Sequence, residues 1–306
     1  MTDNKKIMVG IRADGNGKLG MGHLMRCMSI AYALQEQGME CIFYTAEQEA
    51  GSFLQERGFR CRVLYTDYQD MESELPFLKQ MLKEDGCRLI LIDSYQMTQK
   101  YIDELMKQCR VYYLDDTGDC RLTADGIINY NIYGQDLGYE AWCPFETRLL
   151  LGAEYAPVKK PFTETAYQVR DSVSRIMITM GGSDALNIAG QLTERLLGIM
   201  AEDVEIDLIC GRFNPHLDTL KEMARQEQRI HVLVDVKDMW NKMAAADMVV
   251  SAAGSTMYEL SAMGVPTVCC YYVENQRRIA EGFAEKVQMV NAGDFSADGE
   301  AVKKNL

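Results

Sequence analysis

Two doubly wound α/β domains, each a parallel sheet clad with helices, are what this sequence predicts, and three observations predict them. Short runs rich in Val, Ile and Leu alternate with amphipathic stretches of roughly 10–15 residues, which is the pattern of right-handed βαβ units. The series occurs twice along a chain of 306 residues, a length beyond what one hydrophobic core usually serves. Glycine-rich turns stand where apolar runs hand over to helical ones, as they do at the ligand-binding ends of parallel sheets.

In the first series the strand candidates are 6–13, 40–45, 60–65, 88–93 and 111–115, with helical stretches near 23–37, 47–57, 71–85 and 98–109. In the second, strands read at 175–180, 205–210, 230–234, 248–251 and 266–271, with helices near 185–201, 215–228, 237–246, 255–263 and 275–286. Pro157 and Pro161 open a polar stretch that runs to about Ser174 and makes the best linker. The expected domains are therefore 1–160 and 161–306, with a cleft facing the carboxyl ends of their strands.

Composition narrows the function. Hydrophobic residues make up 47% and charged residues 25%, as in a globular protein, and the formal net charge is −13. The acidity is spread along the chain and leaves no basic stripe, which argues against nucleic acid as a partner. The longest apolar stretches, such as 248–253, are far shorter than the roughly 20 residues of a membrane-spanning helix, so no membrane insertion is expected. The ten cysteines include no CxxC pair and read as reduced thiols of a cytoplasmic protein. With three histidines and no paired thiols, neither a metal site nor a cofactor is expected. A monomer or weak homo-oligomer is the expected state.

The segment Arg12-Ala-Asp14-Gly-Asn-Gly-Lys-Leu-Gly20-Met-Gly22-His23-Leu-Met-Arg26 follows the first strand and opens a helix with apolar Met25, Met28, Ile30, Ala31 and Leu34. Its glycines allow close approach of a ligand to the backbone. It is a poor dinucleotide fingerprint: no third glycine follows Gly20 and Gly22, and the second strand ends Phe-Tyr-Thr-Ala46 without an acidic residue. His23 falls in the first helical turn, where exposed N–H groups disfavour an imidazolium and keep the ring neutral. A neutral histidine there can act as a general base, or can simply cap or pack the turn. Asp14 is an alternative base, or an orienter of sugar hydroxyls. Tyr95, at a strand's carboxyl end, either faces the cleft or packs. Arg26 either meets a ligand's anionic or amide groups or pairs with Asp14 or Asp93. Asp115 and Asp116 are either a carboxylate pair or a turn element. His216 and His231 read as structural.

In the second half, Thr179-Met-Gly181-Gly182-Ser183 and Ser251-Ala-Ala-Gly254-Ser255-Thr256 each lead from strand to helix. Both present N–H groups that could hold a diphosphate without lysine, although every fold of this class contains such turns. Glu259, one turn further on, could accept bonds from two ribose hydroxyls.

Val236-Lys-Asp-Met239, Ala244-Ala-Ala-Asp247, the run SAAGSTMYELSAMGVPTV from Ser251 and Glu274-Asn275-Gln276 together resemble the nucleotide half of glycosyltransferases with two Rossmann-like domains, the GT-B-like type. That resemblance implies a uracil near Val236, phosphates at Gly254, Ser255 and Thr256, and a ribose at Glu259, with Asn275 and Gln276 in the same site. Arg12-x-Asp14, Gly20-x-Gly22-His23-x-x-Arg26, Leu91-Ile-Asp93-Ser-Tyr95, Tyr113-Leu-Asp-Asp116, Ala124-Asp-Gly-Ile-Ile-Asn129 and Leu151-Gly-x-x-Tyr155-Ala-Pro157 narrow it. With Thr179-Met-Gly-Gly-Ser-Asp184 and Asn187, they resemble the UDP-sugar hydrolases of pseudaminic acid biosynthesis, the PseG/SpsG type. This resemblance covers about residues 6–290. It implies hydrolysis of UDP-2,4-diacetamido-2,4,6-trideoxy-β-L-altropyranose at the anomeric carbon, without metal, with His23 as general base. The chain has Ser94 where many members have histidine. A glycosyltransferase using a UDP-N-acetylamino sugar is the alternative.

Overall fold

The computed structural model describes residues 6–16, 19–118, 121–182, 184–212 and 214–305. The chain divides into two compact units, Met1–Pro157 and Val158–Leu306.

In the first unit, strands β1 (Met8–Ala13), β2 (Glu40–Thr45), β3 (Arg60–Val63), β4 (Leu89–Asp93), β5 (Arg110–Leu114), β6 (Gly126–Asn129) and β7 (Arg148–Leu151) form one parallel sheet. The helices α1 (Gly22–Glu36), α2 (Gln48–Gln55), α3 (Met71–Asp85) and α4 (Gln99–Met106) connect its first five strands. The order is β3-β2-β1-β4-β5-β6-β7. β1 and β4, neighbours at the centre, read MVGIRA and LILID and are buried along almost their whole length, because helices cover both faces of a parallel sheet. On α1 the buried Leu24, Cys27, Met28 and Ala31 follow helical spacing and form the face that meets the sheet. Asp70 caps α3 by accepting the Ser73 N–H, Gly86 closes it in the left-handed conformation, and Thr98 caps α4 by accepting the Tyr101 N–H.

The second unit holds β8 (Arg175–Thr179), β9 (Glu205–Cys210), β10 (Ile230–Val234), β11 (Met248–Ala252), β12 (Thr267–Tyr271) and β13 (Val290–Asp294), in the parallel order β10-β9-β8-β11-β12-β13. Its helices are α5 (Lys160–Glu164), α6 (Ile188–Leu197), α7 (Leu217–Gln226), α8 (Met239–Ala245), α9 (Thr256–Met263), α10 (Glu274–Val287) and α11 (Phe295–Lys304). The doubly wound class read from the sequence is what is found. Beyond the expected elements are three strands, β6, β7 and β13, and two helices, the short α5 and the final α11. After Val290 the chain forms β13 and α11, and α11 packs on β13 and β12 within this unit.

Asp247, at the start of β11, ties the segment before β8 to the sheet. Its carboxylate accepts from the backbone N–H groups of Ser174 and Arg175, from the Ser174 hydroxyl and from Arg170. Burial works against its charge, but these donors outweigh it and bring the carboxyl down to about 2. A carboxyl lowered on folding stabilises the fold above its unfolded value, near 4, and loses that contribution as pH falls towards 2. Asp247→Asn should therefore cost about 2 kcal/mol at pH 7 and almost nothing near pH 2. Urea unfolding at the two pH values checks this; an equal loss at both would mean that Asp247 acts through packing rather than charge.

In each sheet the strand order reverses direction at one place, between β1 and β4 and between β8 and β11. Ligands of open α/β sheets bind at the carboxyl end of such a switch point. Ala13 pairs with Asp93 there in the first sheet and Thr179 with Ser251 in the second.

Candidate functional site

In the first unit the chain leaves β1 through Asp14 and turns back on itself, with the Gly20 N–H bonded to the Asn16 carbonyl at 2.8 Å. Gly20 has φ +75°, and a side chain on Gly15 would come within 2.8 Å of Leu24. The turn therefore demands glycine at Gly20, while a side chain on Gly15 would have to displace Leu24. Gly17 lies outside the described residues. Gly22 starts α1, and His23 follows it in the first turn, where no side chain caps the helix.

His23 Nδ1 lies 2.6 Å from Asp93 Oδ1, at the end of β4. An ionised carboxylate can only accept, so this shorter contact outweighs the 3.0 Å approach of Arg26 Nη2 to the same atom, and in a neutral ring it puts the proton on Nδ1 and leaves Nε2 as the acceptor. Arg26, three residues on and on the same face of α1, grips Asp93 with Nε at 2.6 Å and Nη2 at 2.5 Å. Burial pushes the Asp93 carboxyl up, yet the charge and hydrogen bonds of Arg26, helped by His23, hold it well below the usual carboxylate range. Asp93 is only 1% exposed. Both its oxygens are engaged by His23 and Arg26.

The Tyr95 ring meets the His23 ring edge-on at 4.8 Å between centroids, and its hydroxyl donates to Asp116 at 3.0 Å. Burial and Asp116 raise its phenol above the ordinary tyrosine range. A recess is lined by Asp14, Leu19, His23, Tyr68, Asp93, Ser94, Tyr95 and Gln96. The arrangement can orient a neutral imidazole and take a proton on its Nε2.

The expectation for Arg12 changes here, and the alternatives left open for Arg26, Asp115 and Asp116 resolve. Arg12 is wholly buried, bonded to Glu74 at 2.7 Å through Nε and again through Nη2, and ion-paired to Asp14. Its guanidinium therefore braces Asp14 and is closed to a ligand. Asp14 itself accepts from the Ala46 N–H at 2.7 Å with its other oxygen. Arg26 pairs with Asp93 and Asp116, leaving Asp14 to Arg12. Asp115 and Asp116 are not a pair acting together: Asp115 accepts from the Gly118 N–H and the Tyr139 hydroxyl, whereas Asp116 joins Arg26 and Tyr95. Glu74 was missed, since an acid in the first turn of α3 reads as an ordinary helix-start residue.

The second unit repeats the strand–turn–helix arrangement twice, with different outcomes. After β8, Gly181 adopts φ +81°, and Gly182 packs so tightly on Gly211 that a methyl there would sit 2.3 Å from the Gly182 carbonyl oxygen. Ser183 lies outside the described residues. The buried Asp184 then accepts from the Ile188 and Ala189 N–H groups at 2.8 and 2.9 Å. The N-terminus of α6 is thus occupied by the chain's own carboxylate, contrary to the expectation of two open helix ends. Asn187 stands at that end with φ 52°, its Oδ1 enclosed without a partner among the described residues and pressed against Gly190.

The turn after β11 is open. Gly254 has nothing near the position of a side chain, and Ser255 precedes α9 without capping it. Among the described residues nothing accepts from the Ser255 and Thr256 N–H groups. Glu259, in the first turn of α9, has no hydrogen-bond partner among the described residues, and burial lifts its carboxyl to about 7 despite Lys159. Val236 is partly buried beyond β10, packed against the core cluster that holds Ile209, Met243 and Leu260. Asn275 is exposed at the start of α10, and Gln276 accepts from the Tyr272 N–H.

Residues 175–305 match the glycosyltransferase family 28 C-terminal domain. Outside it, the likeness extends over most of the chain. The UDP-2,4-diacetamido-2,4,6-trideoxy-β-L-altropyranose hydrolase of Campylobacter jejuni is 23% identical over 277 residues, 90% of this chain and 95% of that one. The spore coat polysaccharide biosynthesis protein SpsG of Bacillus subtilis is 25% identical over 295 residues, 93% and 83% of the two chains. An uncharacterized protein of Methanocaldococcus jannaschii is 23% identical over 293 residues, and the match spans 91% of this chain but only 58% of that longer one. These relatives bear out the resemblance read from the motifs. The solved structure of MurG from Acinetobacter baumannii has a TM-score of 0.67 and 14% identity, covering 97% of this chain and 89% of its own. The fold is therefore of the GT-B glycosyltransferase type, as expected. No helix among the described residues is long and apolar enough to cross a membrane. Among the described residues no three His, Cys, Asp or Glu side chains gather in a way that could hold a metal ion.

Proposed function

We propose that the chain hydrolyses UDP-2,4-diacetamido-2,4,6-trideoxy-β-L-altropyranose to UDP and the free sugar. The observation that carries this reading is the His23–Asp93 pair, which leaves Nε2 as an acceptor at a recess shared with Asp14 and Tyr95. The named activity of the Campylobacter relative supports it. His23 Nε2 takes a proton as water attacks the anomeric carbon. The bond from that carbon to the diphosphate oxygen breaks, and UDP leaves with inversion. Asp14 is the weaker candidate for the base, since Arg12 and the Ala46 N–H already claim its two oxygens.

UDP is held by the second unit. The open N-terminus of α9 meets the diphosphate and stabilises the charge it gains on leaving, while Glu259 accepts from the ribose hydroxyls. Gly181, Gly182 and Asn187 border the same switch point, and Ser183, Val236, Asn275 and Gln276 are assigned to the nucleotide by the resemblance. Gly20, Gly22 and Arg26 shape and brace the sugar side. No metal, cofactor, nucleic acid or membrane enters this scheme, and a cytoplasmic monomer or weak homo-oligomer suffices for it.

Incubating the protein with the UDP-diacetamido sugar and following the products by NMR tests the reading. Release of UDP and a free sugar of inverted anomeric configuration is expected, unchanged by a chelator. Release only when a hydroxyl acceptor is added would identify a transferase, and abolition by the chelator would overturn the metal-free scheme.

Glu259 makes a prediction of two opposite signs. A carboxyl raised by folding is fully stabilising while protonated, and that contribution is lost as pH rises from about 4.5 through 7. Glu259→Gln should therefore raise the stability of the ligand-free protein at pH 8, by about 1–3 kcal/mol, while weakening UDP binding by about the same amount. In calorimetry, the gain in UDP affinity between pH 6 and pH 8 should be larger for the wild type than for the variant. Unchanged UDP affinity in the variant would remove Glu259 from the site.

A further inference from the structure

Five side chains close into a ring. His23 bonds to Asp93, Asp93 to Arg26, Arg26 Nη1 to Asp116 Oδ2 at 2.5 Å, and Asp116 Oδ2 receives the Tyr95 hydroxyl at 3.0 Å. The Tyr95 ring then returns to the His23 ring, edge to face. These residues come from α1, the end of β4, the turn after it and the end of β5, so only the fold brings them together.

We propose that Asp116 is a positioning residue for the hydrolytic site, holding the Tyr95 ring against His23 and so fixing the direction in which Nε2 faces. The proposal rests on the function proposed above. Tyr95 is 54% exposed, so packing alone leaves its ring free to swing away. Two contacts restrain it: the edge of the imidazole and the carboxylate of Asp116. Asp116 can serve as an anchor because it is itself held, through its carboxylate by Arg26 and through its carbonyl by the Asn131 side-chain amide at 2.7 Å.

The Asp93 side of the ring does not depend on Asp116. Arg26 reaches Asp93 through Nε and Nη2, and reaches Asp116 through Nη1. Removing Asp116 therefore leaves the His23 tautomer set by Asp93 and frees only the Tyr95 side. That separates positioning from the acid–base chemistry, because a base of the right tautomer but loose direction still reacts, more slowly.

The test uses Asp116→Ala, Asp116→Asn, Tyr95→Phe and the Asp116→Ala/Tyr95→Phe double variant in the full chain. Asp116→Ala should lower kcat about 10–100-fold and leave UDP affinity unchanged, and Asp116→Asn, which keeps an acceptor for the phenol, should recover most of that loss. Tyr95→Phe should add little in the Asp116→Ala background, since both remove one hydrogen bond. The carbon-bound proton of His23 between its ring nitrogens, followed by NMR, should shift in Asp116→Ala and in Tyr95→Phe as the ring current of Tyr95 moves. Multiplicative losses in the double variant, no recovery with asparagine, or an unmoved His23 resonance would each overturn the proposal. If Asp116→Ala does not fold, Tyr95→Phe and Asp116→Asn still decide it through the His23 resonance. If the wild type releases no UDP from any UDP-amino sugar, the functional reading falls, while that resonance still reports on Asp116.

Discussion

Replacing His23 with asparagine should cut turnover by about 10²–10⁴, the usual contribution of a positioned general base, while leaving the fold and UDP affinity intact. Asparagine can still donate from its amide to Asp93 Oδ1, so the buried carboxylate keeps a partner and the bidentate grip of Arg26 is undisturbed. It cannot accept a proton where Nε2 did. Asp93 is already ionised far below neutrality, held there by Arg26 against its burial. Turnover near the wild-type level would hand the role to Asp14. A variant that loses turnover together with its cooperative thermal transition would show His23 to be a packing residue.

The largest loss of stability should follow from Glu74→Ala. Arg12 and Glu74 are both fully buried. Glu74 receives Arg12 Nε and Nη2 at 2.7 Å each, the Tyr101 hydroxyl at 2.6 Å and the Thr66 hydroxyl at 3.3 Å. Burial works against the Arg12 charge, but Asp14 and Glu74 more than compensate. Removing Glu74 leaves that cation with Asp14 alone and strands two hydroxyls. The expected cost is about 3–5 kcal/mol, the range for breaking a buried pair by deleting one partner. Glu74→Gln, which keeps acceptor and donor at the same place, should lose less. Denaturant unfolding with an unchanged m-value measures both. A loss under about 1 kcal/mol for the alanine variant would mean that water reaches the Arg12 guanidinium, contrary to its full burial.

The architecture was legible because its cause is local. A strand covered on both faces must be apolar along its length, and LILID or MVVSA can hardly read otherwise. The strands that escaped notice fail that condition. β6 and β7 have four residues each and follow no helix that would mark them as βαβ units, and β13 reads VNAGD, with its first residue exposed on a sheet edge. The helix carrying His23 was equally plain, since its apolar face repeats at helical spacing after a glycine-rich turn.

Within the site, the sequence by itself determined what neighbours along the chain can determine. His23 and Arg26 share a helix face because they are three residues apart, and Gly254 frees the start of α9 because it has no side chain. Asp93 and Tyr95 sit at a strand's carboxyl end because the strand stops there. The tertiary structure decided which charge meets which. Asp93 rather than Asp14 takes Arg26, 67 residues away. Glu74 claims Arg12 across 62 residues, and Asp184 fills the end of α6 that the glycine turn suggested was open. No periodicity encodes those choices. Each is settled by the fold's requirement that a buried charge find its partner within hydrogen-bonding reach, and that reach is set by which strands lie side by side.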